Sequence, residues 1–224
     1  MFPRSSIYFF CIACVGGAGA QENSARDVPA GVVSATRSQQ SLLTVPGAIA
    51  VISREEIERS GARHIADVLR GRGAVQINDT FGDGSRATVG MRGFNESANA
   101  NVLVLVDGRR LNNTDIGAPD LNSISLKDVE RVEIVQGSAG TLFGDQAVGG
   151  VINIITRRPT GRVMEAVATV GSYGRRGLRA RLGNRFSNGI DVNLTAERFL
   201  TDNYRRNNRQ DYENYLGRVG YEYG

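Results

Sequence analysis

The chain has 224 residues, a formal net charge of +4, two cysteines, one histidine and no tryptophan. A charge this small gives no argument for nucleic acid as a partner. Hydrophobic residues make up an ordinary 41%, yet no apolar run reaches the roughly eighteen residues a membrane-spanning helix needs.

The first twenty residues read as a cleavable secretory signal. Arg4 supplies the positive start, residues 7–15 are apolar, and Ala18-Gly19-Ala20 forms a small-residue cleavage site. Both cysteines, Cys11 and Cys14, lie inside it. Cleavage after Ala20 leaves a mature chain without thiol chemistry; lipid attachment at Cys14 is the alternative fate. Residues 21–47 are polar and irregular, punctuated by Pro29 and Pro46. Within them, residues 31–37 (GVVSATR) are extended in character and isolated from any core.

Ordered structure is expected from residue 48. Residues 48–53 (AIAVIS) form a strand, and Ser53 with Glu56 forms a capping box that opens a short helix ending near Gly61. A second helix is expected over 63–71, with Ile65, Val68 and Leu69 on one face. Strands follow at 74–78, 87–93 and 102–108. The last is apolar throughout, which predicts burial on both faces, and Asp107-Gly108 turns the chain out of it. A short helix at 125–130 leads to strands 131–136 and 151–156. The expected unit is one compact α+β domain over residues 48–158, with a mixed sheet of four strands and short helices.

After Pro159 the pattern changes to period two. Leu178, Ala180, Leu182 and Phe186 alternate with Arg179, Arg181 and Arg185; Ile190, Val192, Leu194 and Ala196 alternate with Asp191, Asn193, Thr195 and Glu197. Strands are expected at 163–171, 178–186, 190–198 and 215–223, each near the length of a tilted transmembrane strand. A soluble sandwich alternates in the same way. The connections discriminate: a tight turn at 187–189 and a long polar loop at 200–214 suit an outer-membrane barrel. Four strands cannot close, so the chain is expected to be the front part of a longer protein. The arginine stripe faces whatever the wall encloses. It can pair with Asp191 or Glu197 on the next strand, or with acidic residues of the preceding domain.

Catalytic and cofactor chemistry find little support. Residues 137–150 (GSAGTLFGDQAVGG) hold five glycines but no lysine, so they lack the P-loop pattern. Gly82-x-Gly84-x-x-Ala87 precedes a strand, not the helix a dinucleotide fingerprint requires. His64 is the single histidine, and no His/Cys cluster has metal-ligand spacing. Asp107, Asp115 and Asp120 read more simply as turn residues than as an acid–base pair. No catalytic residue, metal site or cofactor is assigned, and the chain is not read as an enzyme.

The order of motifs resembles a TonB-dependent outer-membrane receptor of the siderophore and cobalamin type. The resemblance covers residues 30–224 and rests on MRGF at 91–94, VLVDG at 104–108, and VERVEIVQGSAGTLFGDQAVGGVINIITR at 129–157. It implies an α+β plug domain at 48–158, followed by the first antiparallel strands of a barrel of about 22 strands. Residues 163–224 are then an incomplete barrel wall. Gly137, Gly140, Gly144, Gly149 and Gly150 become backbone glycines that let the plug pack inside a narrow lumen.

The resemblance also implies a TonB box near 30–37. Val32, Val33, Ser34, Ala35 and Thr36 would pair by strand addition with TonB, which the ExbB/ExbD complex energises. Plug–barrel contacts fall to Arg92, Arg131, Arg179, Arg181 and Arg185. Family members usually carry Arg-Gly-Pro where this chain has Gln136-Gly137-Ser138, so one arginine of the expected lock is missing. Ligand-facing candidates at the plug apices are Phe81, Arg86, Phe94, Asn95, Asn113 and Asp115. The implied function is energy-coupled uptake of a scarce bulky ligand, a ferric siderophore or cobalamin, from an outer-membrane location. The alternative is a soluble periplasmic plug-like binding or adaptor module.

Overall fold

A computed structural model describes residues 32–33, 40–41, 48–72, 74–82, 84, 87–94, 97–113, 117–137, 144–204 and 207–221. The described segments fall into two sheet systems and two small hairpins. The first two strands are short: β1 (Val32–Val33) pairs antiparallel with β2 (Gln40–Ser41). Residues 31–37 read from sequence as isolated; Val32 and Val33 instead have a backbone partner, which exposed extended peptide groups readily take up.

Strand β3 (Ala48–Ile52) ends at Ser53, whose hydroxyl accepts from the Glu56 amide while the Glu56 carboxylate accepts from the Ser53 amide. This capping box opens helix α1 (Arg54–Arg59). Helix α2 (Ile65–Leu69) is shorter than its apolar spacing predicts. It begins where Asp67 accepts from the amides of Arg63 and His64. A hairpin of β4 (Val75–Asp79) and β5 (Ala87–Met91) follows, then a single turn α3 (Ala98–Asn101), β6 (Val102–Val106) and the two-residue edge strand β7 (Arg109–Arg110). The expected helix over 125–130 is only a 3-10 turn at Leu126–Asp128, since so short a segment gains too few bonds to sustain an α-helix. Strands β8 (Val129–Gln136) and β9 (Gly150–Thr156) complete a mixed sheet in the order β3-β8-β9-β6-β7, with β6 and β9 parallel. It has five strands, one more than expected, the addition being the edge strand at 109–110.

This sheet is buried on both faces. Val102, Val104, Val132, Ile134, Ile152 and Ile154 pack beneath α1, α2 and the β4–β5 hairpin, whereas Leu103, Leu105, Val151 and Ala147 form a smaller cluster behind. All five residues of β6 are buried, as its unbroken apolar run predicts.

The second system is an antiparallel meander: β10 (Val163–Val170), β11 (Arg176–Arg185), β12 (Ile190–Thr201) and β13 (Gln210–Tyr221). A tight turn joins β11 to β12, closed by the Phe186 amide on the Ile190 carbonyl at 2.8 Å. The other two connections lie at the opposite end and touch through the Asp202 amide and the Tyr173 carbonyl at 2.8 Å. Strand β13 begins at residue 210, not 215, so the long loop is shorter than expected. Its first residues are mostly polar, yet they pair in register with residues 197–201 of β12.

Candidate functional site

The meander is a wall with unlike faces. On its outer face Met164, Val170 and Val219 are 74%, 85% and 76% exposed, and Leu178, Leu182, Leu194 and Tyr215 are exposed beside them. A soluble monomer rarely leaves so continuous an apolar surface uncovered. At the loop end of β12 and β13 the same face also carries charge, where Arg198 pairs with Glu213 at 2.7 Å and Asp211 at 3.8 Å. Strand alternation with an apolar outer band is the pattern of a wall facing lipid. No helix among the described residues is long and apolar enough to cross a membrane, which says nothing of strands.

The inner face is polar and lies against the mixed sheet. Arg179 and Asp128 are each 2% exposed, and the Arg179 guanidinium donates to the Asp128 carboxylate. Its second terminal nitrogen reaches Glu165 at 3.2 Å, and the Thr195 hydroxyl donates to Asp128 at 3.1 Å. One strand further on, Arg218 lies 3.2 Å from Asp191 and 3.8 Å from Asp107. Asp107 occupies the left-handed region with φ 48° and also accepts from the Thr156 amide and hydroxyl at 2.9 and 2.6 Å. The Asn214 amide donates to the Asn122 carbonyl at 2.8 Å. Carboxylates from two turns of the sheet thus meet arginines from the wall. The Arg179–Asp128 pair is buried, charge-assisted and directional, so it helps set how the two surfaces register, with the partly exposed Arg218–Asp107 pair beside it.

The five arginines expected to bridge the two parts have different environments. Arg179 crosses to Asp128. Arg181 is buried but stays on the wall, donating to Asn193 at 2.8 Å. Arg185 is exposed at the strand end. Arg131 is paired within the sheet to the fully buried Glu133 at 2.8 Å. Arg92, with φ 53°, lies with its guanidinium over Gly137. Among the described residues, then, the sheet contributes the carboxylates and the wall the arginines, the arrangement in which the stripe meets acidic residues of the preceding domain. Arg218 and Asp128 were not singled out from sequence. Arg218 sits in the inward alternation Tyr212, Asn214, Leu216, Arg218, which was the available signal.

The glycine segment packs closely at its end. A Cβ on Gly150 would stand 2.6 Å from the Val135 carbonyl oxygen, and one on Gly149 would stand 3.1 Å from that of Asn101. Gly137 is positioned by its backbone N–H, which donates to the Gly149 carbonyl at 3.1 Å. Gly144 is exposed in open space, and Gly140 lies outside the described residues.

Of the apical candidates, Phe81 is exposed, and its carbonyl accepts from the Asn208 side chain of the wall loop at 3.2 Å. Phe94 packs against Gly149, and Asn113 is exposed. Arg86, Asn95 and Asp115 lie outside the described residues, as do Ser34, Ala35 and Thr36. Asn112, not anticipated, is buried. It accepts from the Val104 amide at 2.6 Å and donates to the Val102 and Asn99 carbonyls, fixing the loop that carries Asn113. Asp120 caps the 3-10 turn at Leu121–Ser123.

These features define a mixed-sheet domain seated against the polar inner face of a lipid-facing strand wall. Residues 41–151 match the family described as TonB-dependent Receptor Plug Domain. Over 125 residues the chain is 41% identical to the vitamin B12 transporter BtuB of Vibrio vulnificus, covering 56% of this chain and 20% of that protein. Over 156 residues it is 37% identical to BtuB of Photobacterium profundum, covering 69% and 25%. The fold resembles the pyoverdine receptor FpvA of Pseudomonas aeruginosa, with TM-score 0.65, 19% identity and coverage of 86% and 28%. It also resembles the ferric-catecholate import receptor Fiu of Escherichia coli, with TM-score 0.59, 24% identity and coverage of 79% and 25%. The chain belongs to the TonB-dependent receptors. It spans a fifth to a quarter of the length of the curated relatives it matches.

Proposed function

We propose that this chain supplies the plug and first wall strands of an outer-membrane transporter that takes up cobalamin or a ferric siderophore, driven by TonB. The carrying observation is the two-faced wall: apolar outward, and inward a polar row ion-paired to the plug through Arg179–Asp128 and Arg218–Asp107. A soluble adaptor module would leave Met164, Val170 and Val219 in water. The relatives named vitamin B12 transporters support a transport role, and the receptors of similar fold support a metal-chelate ligand. No residue set in this reading performs catalysis.

Export by the signal at residues 1–20 delivers the chain toward the outer membrane. The segment Val32–Thr36 is the TonB handle: Val32 and Val33 are already extended, and pairing with TonB requires only that they exchange or extend their ladder. Pulling on this handle loosens the plug from the wall, and Phe81, Phe94 and Asn113 with their neighbours Arg86, Asn95 and Asp115 present the ligand-facing surface.

The test is uptake by cells carrying the full-length receptor as their only one. Radiolabelled cyanocobalamin or a ferric siderophore should accumulate only when TonB is present. Val33→Pro, which removes a strand donor, should abolish accumulation and leave cell-surface binding intact. Normal uptake by that variant would remove the handle assignment. A receptor found in the soluble fraction would remove the transport reading itself.

A further inference from the structure

Two cavities of about 330 Å³ each lie between the plug's helical side and the inner face of β10–β13. Both are lined by Arg63, His64, Arg175 and Phe199, so they adjoin. One lies beside Tyr173 and Tyr204 at the loop end; the other is lined by Arg54, Arg179 and Asn214. Sites for sizeable ligands enclose roughly 300–1,000 Å³, so the two together have the capacity for one, and both lie against the loop-end half of the wall.

Their chemistry is selective. Arg175 stands over the Phe199 ring at 5.2 Å, and Phe199 stacks on Tyr212 at 5.1 Å. Among the described residues no carboxylate ion-pairs with Arg63 or Arg175. Arg179 lines the deeper cavity, and its buried Nε–H has no hydrogen-bond partner although both terminal nitrogens are engaged. A buried donor left unmet is costly, and here it points to an acceptor supplied from the cavity. Opposing carboxylates are Glu58, already paired to Arg54, and Glu197. Guanidinium groups beside aromatic faces suit a ligand with both anionic oxygens and flat rings.

We propose that the adjoining cavities form an internal binding station for an anionic aryl chelate, of the ferric tris-catecholate class, on its way past the plug. This rests on the transport reading and narrows it: a corrinoid offers such a site a single phosphodiester, whereas a tris-catecholate offers charge and rings together.

The test uses cells with the full-length receptor and two probes, iron-radiolabelled ferric enterobactin and radiolabelled cyanocobalamin. Charge reversal at the station, by Arg175→Glu or separately by the exposed Arg63→Glu, should slow ferric enterobactin uptake about tenfold or more. Surface binding in energy-depleted cells should be unchanged, and Arg175→Lys should keep most of the uptake. Wild-type uptake by both reversal variants overturns the station. So does an equal loss of surface binding and uptake, which would place the effect at the outer site or in folding. If the unmodified receptor imports cyanocobalamin and not ferric enterobactin, the station falls and the transport reading stands. If it imports neither, the station falls, and the transport reading falls with it if ferric hydroxamate and ferric pyoverdine probes are also not imported.

Discussion

In the plug sheet, nearly all apolar residues of β6, β8 and β9 are buried, and a buried charge, Glu133, is paired within the sheet to Arg131. In the wall, Met164, Leu178, Leu194 and Val219 are exposed, and Arg179, Arg181, Asp191 and Asn193 are buried. Both are built from β-strands with well-formed ladders, so the backbone does not account for the contrast. The surroundings do. The plug sheet hides apolar surface from water beneath α1, α2 and the β4–β5 hairpin. The wall turns its apolar surface to lipid and keeps its polar groups for the plug. Each region therefore has a characteristic weakness: cavities in the plug sheet, charge on the outer wall, and an unpaired ion between them.

The interface should be the most sensitive. Asp128→Ala removes the acceptor of a buried arginine and of Thr195, and breaking a buried pair in this way costs about 3–5 kcal/mol. In the full-length receptor, the plug of this variant should become extractable at lower urea while the barrel's heat-modifiable band persists. Asp128→Asn, which keeps an acceptor, should lie between the variant and the native protein. Unchanged extraction by Asp128→Ala would mean the contact contributes nothing to plug retention. Arg92→Ala is the companion experiment. The guanidinium rests on Gly137 with no ion-pair partner among the described residues, so its loss should matter less than that of Asp128. The reverse ranking would support the plug-arginine lock that the resemblance implies.

On the outer wall, Leu194→Arg places a cation in the apolar band. Charges near the bilayer midplane of a barrel cost about 2–4 kcal/mol. The variant should lower barrel stability in lipid and leave ligand binding at the plug apices unchanged. The same change at Thr195, one residue along but facing Asp128, should be far better tolerated by the bilayer and should disturb the plug instead. If both substitutions act alike, the two faces are not distinct.

These contrasts also explain what could be read from sequence. The five-residue apolar run at 102–106 predicts a strand buried on both sides, and the Ser53–Glu56 spacing predicts the helix start, because both depend on neighbours in the chain. The alternation of Arg179 and Arg181 with Leu178 and Leu182 predicts two unlike faces, though not which face meets protein. That Asp128 is the partner of Arg179 is set by docking across 51 positions of sequence, which no local spacing records. The sequence places the start of β13 at residue 215, five residues late, because the stretch 210–214 is mostly polar; in the structure Asp211 and Glu213 pair with Arg198 of β12 and Tyr212 stacks on Phe199. The edge strand at Arg109–Arg110 is too short for periodicity to register.

The smallest expected effect separates the plug from everything around it. Ser53 belongs to neither interface: its hydroxyl and the Glu56 carboxylate satisfy two amides at the start of α1. Ser53→Ala leaves one of those amides without its side-chain acceptor and should cost about 1 kcal/mol, as lost helix caps typically do. That cost should appear only in plug stability, as a modest fall in the urea needed to unfold it, with heat-modifiability, surface binding and lipid insertion all unchanged. Because α1 packs Ile57 into the core beneath β8, a loss much larger than this would mean that the helix start and the sheet fold as one unit. The plug would then be destabilised from its helical side as readily as from its contact with the wall.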